Sequence, residues 1–136
     1  MNIRAEGRFD LKWTEEPAYD DAEGAELAHV VITKTFHGDI TGSSVTHMTK
    51  AMSPREDSAG YVAIERVTGS LHGKSGSFVL QHNAIMDRSE PMLNIVVVPE
   101  TATGELTGLR GSVVVEITEG RHDYVFDYTL AEVPAV

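Results

Sequence analysis

At 136 residues the chain has room for one domain with a substantial core and not for two, so residues 1–136 are expected to fold as a unit. Its 21 acidic against 11 basic side chains give a formal net charge of −10, which disfavours nucleic acid and anionic lipid as partners over most of the surface. Without cysteine there is no disulfide framework, thiolate nucleophile or cysteine-held metal, and the N-terminal MNIRAEGRFDLKW lacks the apolar core of a signal peptide. No run reaches membrane-spanning length, and the cytoplasm is the expected compartment.

In chain order, residues 2–13 come first and read as a strand. Ile3, Ala5, Gly7, Phe9, Leu11 and Trp13 alternate with polar residues, which predicts one buried and one wet face. The acidic EEPAYDDAEGAE, residues 15–26, is a solvated connection. Strands follow at roughly 26–37 and 40–51, then the polar loop SPREDSAG (53–60), then strands at 60–71, 77–88, 91–98, 111–119 and 122–131. None of these runs carries a helical period.

A glycine pattern recurs between them. HGDITG (37–42), TGSLHG (68–73) and TGELTG (103–108) share Gly, a polar residue, Ile or Leu, any residue, Gly, at spacings of 31 and 35 residues. Those spacings suit a hairpin-sized unit, and the glycines are read as repeated hairpin bends. Eight antiparallel strands in sequential hairpins predict an all-β, eight-stranded antiparallel up-and-down barrel, because closure removes exposed edges. A β-sandwich is the alternative, with the longer crossovers of Greek keys counting against it.

The blocks TKTFHGDITG, IERVTGSLHGKSGSFVLQHN and VVPETATGELTGLRGS, in this order and spacing, resemble a bacterial family of short proteins of unknown function with an allene oxide cyclase-like β-barrel. The resemblance runs from about residue 5 to residue 130 and implies the barrel. Proteins sharing that barrel include a plant cyclase and bacterial cyclases, which shape a reactive, mostly apolar substrate in the lumen. No cyclase catalytic motif matches this chain residue by residue, so none of its residues inherits a role. PETATG stands where a more Gly/Ser-rich link is expected, which bears on that loop alone.

GSLHGKSG superficially resembles a phosphate-binding loop, but that motif requires a following helix, and here SFVLQHNAIMD reads as a strand. The six histidines, at 29, 37, 47, 72, 82 and 122, include no i, i+2 or i, i+4 pair, so no metal and no cofactor is expected. Alternation in the fourth strand puts Tyr61, Ala63, Glu65 and Val67 on one face. A carboxylate on the lumen side must be paired, hydrogen-bonded or neutralised, which makes Glu65 a candidate acid or base with His82 as its orienter. Register decides whether Gln81 or His82 stands beside it. Tyr61, Gln81, Phe78 and His47 are the candidate ligand-binding residues. The same polar cluster would equally serve to pin strand register.

Runs such as Met92–Val98 and Ser112–Ile117 are apolar on both faces, from which a homo-oligomer is expected. The functional expectation is a barrel that binds a small, largely apolar molecule in its lumen. The alternatives are a cofactor-independent isomerase or cyclase using the lumen as a template, and a filled barrel serving as a structural or interaction module.

Overall fold

A computed structural model describes residues 2–131. Eight strands follow in order: β1 (Ile3–Glu15), β2 (Glu26–Gly38), β3 (Ile40–Met52), β4 (Ala59–Leu71), β5 (Lys74–Asp87), β6 (Glu90–Val97), β7 (Arg110–Thr118) and β8 (Arg121–Thr129). Each pairs antiparallel with its sequence neighbours and β8 returns to β1, so the sheet closes into an up-and-down barrel and not a sandwich. Among the described residues no helix is long and apolar enough to cross a membrane.

The closure is uneven. β4 and β5 pair without interruption from Ala59↔Met86 to Leu71↔Lys74, whereas β6 and β7 meet at the single pair Val96↔Ser112. Glu90–Ile95 and Val113–Thr118 therefore face each other across a seam without a hydrogen-bonded ladder. Where β6 stops, the connection to β7 takes over the edge of β5: the Val98 and Thr103 N–H groups donate to the Val79 and Ser77 carbonyls at 2.9 and 2.8 Å. That connection includes one 3₁₀ turn, Gly104–Leu106.

The repeated glycines do more than bend hairpins. TGELTG forms the 3₁₀ turn and joins no hairpin, which corrects the reading of the third copy. In the first two copies Gly42 of β3 is paired directly with Gly69 of β4. A Cβ on Gly42 would lie 2.2 Å from the Thr68 carbonyl oxygen, so only glycine lets the backbones approach this closely. Gly76 meets the third copy in the same way, with Thr103 O at 2.1 Å from its would-be Cβ. The repeat thus marks backbone contacts between neighbouring segments.

Alternation divides the interior into two halves. At one end Phe9, Phe36, Phe78, Tyr124, Phe126 and Tyr128 fill the lumen, with Phe126 stacked on Phe78 and Tyr128 at 5.7 and 5.2 Å between ring centroids. Leu106 and Leu109, both buried, cap that end. The space left there is about 20 Å³, enough for a single water. The other end is open. Leu11 and Trp13 point inward as the alternation of β1 requires, yet Trp13 is 48% exposed because no further layer covers it.

Candidate functional site

The boundary between the packed and open halves carries charge. Glu65 of β4 faces inward and is fully buried. Its Oε1 accepts hydrogen bonds from Lys34 Nζ of β2 at 3.1 Å and from His82 Nε2 of β5 at 2.7 Å, and its Oε2 accepts one from the Ser44 hydroxyl of β3 at 2.6 Å. Four adjacent strands therefore meet at one carboxylate. Burial by itself pushes the Glu65 carboxyl up, but the His82 hydrogen bond, the Lys34 charge and the Ser44 hydroxyl outweigh it and hold the pKa at about 2. The group is ionised at neutral pH, and because a carboxylate only accepts, His82 Nε2 carries the proton between them.

The register explains how the cluster assembles. Glu65 lies opposite Leu80 and Ala63 opposite His82, so His82 reaches Glu65 along the diagonal of the inward face. Gln81, opposite Ile64, points the other way and is exposed. Of the two residues left open by the sequence, His82 is the one beside Glu65. His47 is also opposite Ile64 and lies exposed on the outer surface, away from the lumen. Phe78 points inward but is buried in the packed half, stacked on Phe126. Those placements take Gln81, His47 and Phe78 away from the open half. Tyr61 does line it, and burial together with the Glu65 charge raises the pKa of its phenol.

Above the cluster lies a cavity of about 220 Å³. Its walls include Leu11, Trp13, Ile32, Met48 and Leu93, and Lys34, Thr46, His82 and His122 supply its polar groups. It adjoins a mouth groove of about 560 Å³, with which it shares Trp13, Met48, Tyr61 and Leu93. At the rim Lys50 stands over the Trp13 ring and pairs with Glu15. Glu65 lies below the cavity and lines only the small space of the packed half, whereas His82 borders both. Of the pair anticipated from the sequence, Glu65 accepts the His82 Nε2 hydrogen bond, and it is the His82 ring that borders the cavity. With Nε2 engaged, Nδ1 makes no hydrogen bond among the described residues and is the ring atom left for a ligand.

Thr46 adds a second unsatisfied group. It faces inward opposite Glu65 and is 1% exposed, and its Oγ1 is the one buried side-chain N or O atom without a partner among the described residues. Sequence reasoning missed Lys34, Ser44 and Thr46. Lys34 was findable, because it interrupts the inward alternation Val30, Ile32, Phe36; Ser44 and Thr46 sit in the polar run SSVTHMTK, where no alternation marks a face. Among the described residues no group of three or more His, Asp or Glu side chains is arranged to hold a metal ion.

Comparison with known proteins agrees with the architecture. No curated protein matches the chain. A crystal structure of a protein of unknown function from Shewanella oneidensis MR-1, described as a member of the DUF3224 family, is 41% identical, with a TM-score of 0.91 over 97% of this chain and 100% of that one. The family model for proteins of unknown function DUF3224 matches residues 5–128, and the chain belongs to that family.

Proposed function

We propose that the open half of the barrel binds a small, largely apolar molecule whose single polar group descends to His82 and Thr46. The observation that carries this reading is a 220 Å³ cavity with apolar walls whose lining includes the His82 ring and Thr46, the residue whose enclosed hydroxyl lacks a partner among the described residues. A barrel serving only as a structural module gains nothing from that orphan group, which costs roughly 1–3 kcal/mol if it stays unsatisfied. Glu65 and Lys34 offset each other's charge, so the floor favours an uncharged carbonyl or hydroxyl over a carboxylate. Trp13, the sole tryptophan, lies in the cavity wall and reports occupancy. Titration with medium-chain ketones and alcohols should change its emission saturably, and native mass spectrometry should detect the adduct. No saturable change across such a panel, with no adduct, would refute the reading.

The Glu65–His82 pair favours one second reading, a cofactor-independent isomerase or cyclase. His82 Nδ1 would take a proton from a carbon next to the ligand's carbonyl, Lys34 and Thr46 would donate to the resulting enolate oxygen, and His82 would return the proton at another carbon. Deuterium exchange into a bound ketone tests it. His82→Gln should lower the exchange rate by about 10²-fold or more while the Trp13 titration persists; equal rates in both proteins exclude the chemistry and leave binding intact.

A further inference from the structure

The exterior of the barrel is divided as sharply as its interior. On the outward face of β1, Arg4, Glu6, Arg8, Asp10 and Lys12 are all charged, and β8 adds Arg121, Asp123 and Asp127. The outward positions of β2 to β6, between the hairpins at either end, hold no carboxylate and a single ion, Arg66. Serine, threonine, histidine, valine and isoleucine fill the rest. At the centre Val45, Val62 and Ile64 are exposed, Ile64 at 49%, with His47 and Gln81 on either side of Ile64. The acidic connection 16–25 borders the face at the mouth end, where Tyr19 packs on His29 at 4.7 Å.

We infer that this face is where two copies of the chain associate. A molecule of net charge −10 repels its own copy through most of its surface, and this face, whose outward carboxylates are confined to Asp87 and Glu90 at the β5–β6 hairpin, lets two copies meet with little opposing negative charge. Its one central ion, Arg66, makes no ion pair among the described residues. The three strands at its centre, β3 to β5, about 4.8 Å apart and about eight residues long, present roughly 400 Å² in projection, with β2 and β6 curving away on either side of the closed barrel; a standard interface buries roughly 800 Å² of accessible surface on each partner. A face depleted of charge and centred on β-branched residues matches the middle of such an interface. The inference does not depend on the lumen being a binding site.

Sedimentation velocity across concentrations from about 1 to 100 µM tests it. The wild-type chain should sediment as a dimer or larger assembly at the upper end. Ile64→Glu should shift it to monomer with an unchanged far-ultraviolet spectrum, and Val114→Glu, at an equally exposed position on β7 outside the face (57%), should leave the assembly intact. Ile64→Cys gives a second measurement, since the chain has no other cysteine: maleimide labelling of that thiol should slow several-fold at assembling concentrations. A wild-type monomer at 100 µM, or an Ile64→Glu chain that still assembles, overturns the inference.

Discussion

Glu65 shows how one side chain ties several strands together and makes the fold sensitive to acid. Its carboxyl has an ordinary value of 4.5 and is held at about 2 in the folded protein, so between those values the unfolded chain binds more protons. The stabilisation is complete above about pH 5 and disappears as pH falls through 4.5 toward 2; the size of the shift corresponds to about 3 kcal/mol. Denaturant titrations from pH 6 to pH 2 should show this loss. Glu65→Gln should flatten the profile there and cost about 3 kcal/mol at pH 7, because Lys34 is left buried without its counter-charge. Thr46 should behave in the opposite way. Thr46→Val removes a hydroxyl that has no partner and keeps the shape, so thermal unfolding should show a gain of about 1 kcal/mol, while the Trp13 titration with ketones should weaken. Nothing in the sequence marked Thr46, whereas Glu65 was legible there as a lumen-side carboxylate in need of a partner. Alternation placed Glu65 and His82 on strands, but their meeting depends on the pairing of Ala63 with His82, which a one-residue slip would have replaced with Gln81.

At the scale of the strands, the sequence was legible wherever side chains alternate and turns are polar. β1 to β4 lie close to their predicted limits, and the departures come where backbone, not side chain, governs. β5 begins at Lys74 and not at residue 77, because the polar start of the strand, KSGS at 74–77, is held by pairing with Thr68–Leu71 across a two-residue turn in which His72 and Gly73 both have positive φ. The third glycine copy misled for a related reason. Its glycines share the pattern of the others, yet Gly104 abuts Gly76 of another segment, a contact that the local pattern does not encode. Gly42 offers the sharpest test of this account. It combines φ of +150° with a backbone oxygen 2.2 Å from any added Cβ, and the obstruction belongs to the β4 main chain, which has no rotamer to move. Gly42→Ala should cost at least about 2 kcal/mol, whereas Gly24→Ala, with nothing within 4 Å, should cost only its own backbone strain, about 1 kcal/mol.

For the molecule as a whole, the separation into a packed and an open half puts the enclosed core side chains and the solvent-facing cavity side chains at different residues. Composition and alternation give no hint of the division, since Phe9 and Trp13 stand on the same face of the same strand, one buried and the other half exposed. What separates them is closure by Leu106 and Leu109, brought over one end by the connection that also covers the β5 edge; the mouth has no counterpart. Substitutions should respond accordingly. Phe126→Ala deletes a fully buried ring stacked between Phe78 and Tyr128 and should cost about 3–5 kcal/mol in denaturant unfolding. Leu93→Ala deletes a side chain that already meets solvent at the cavity wall, and should cost less than about 1 kcal/mol while weakening the ketone titration severalfold. The comparison is informative because both residues point into the same barrel. If Leu93→Ala destabilised as much as a core truncation, the mouth side chains would be structural packing, and the case for an apolar ligand among them would lose its physical basis.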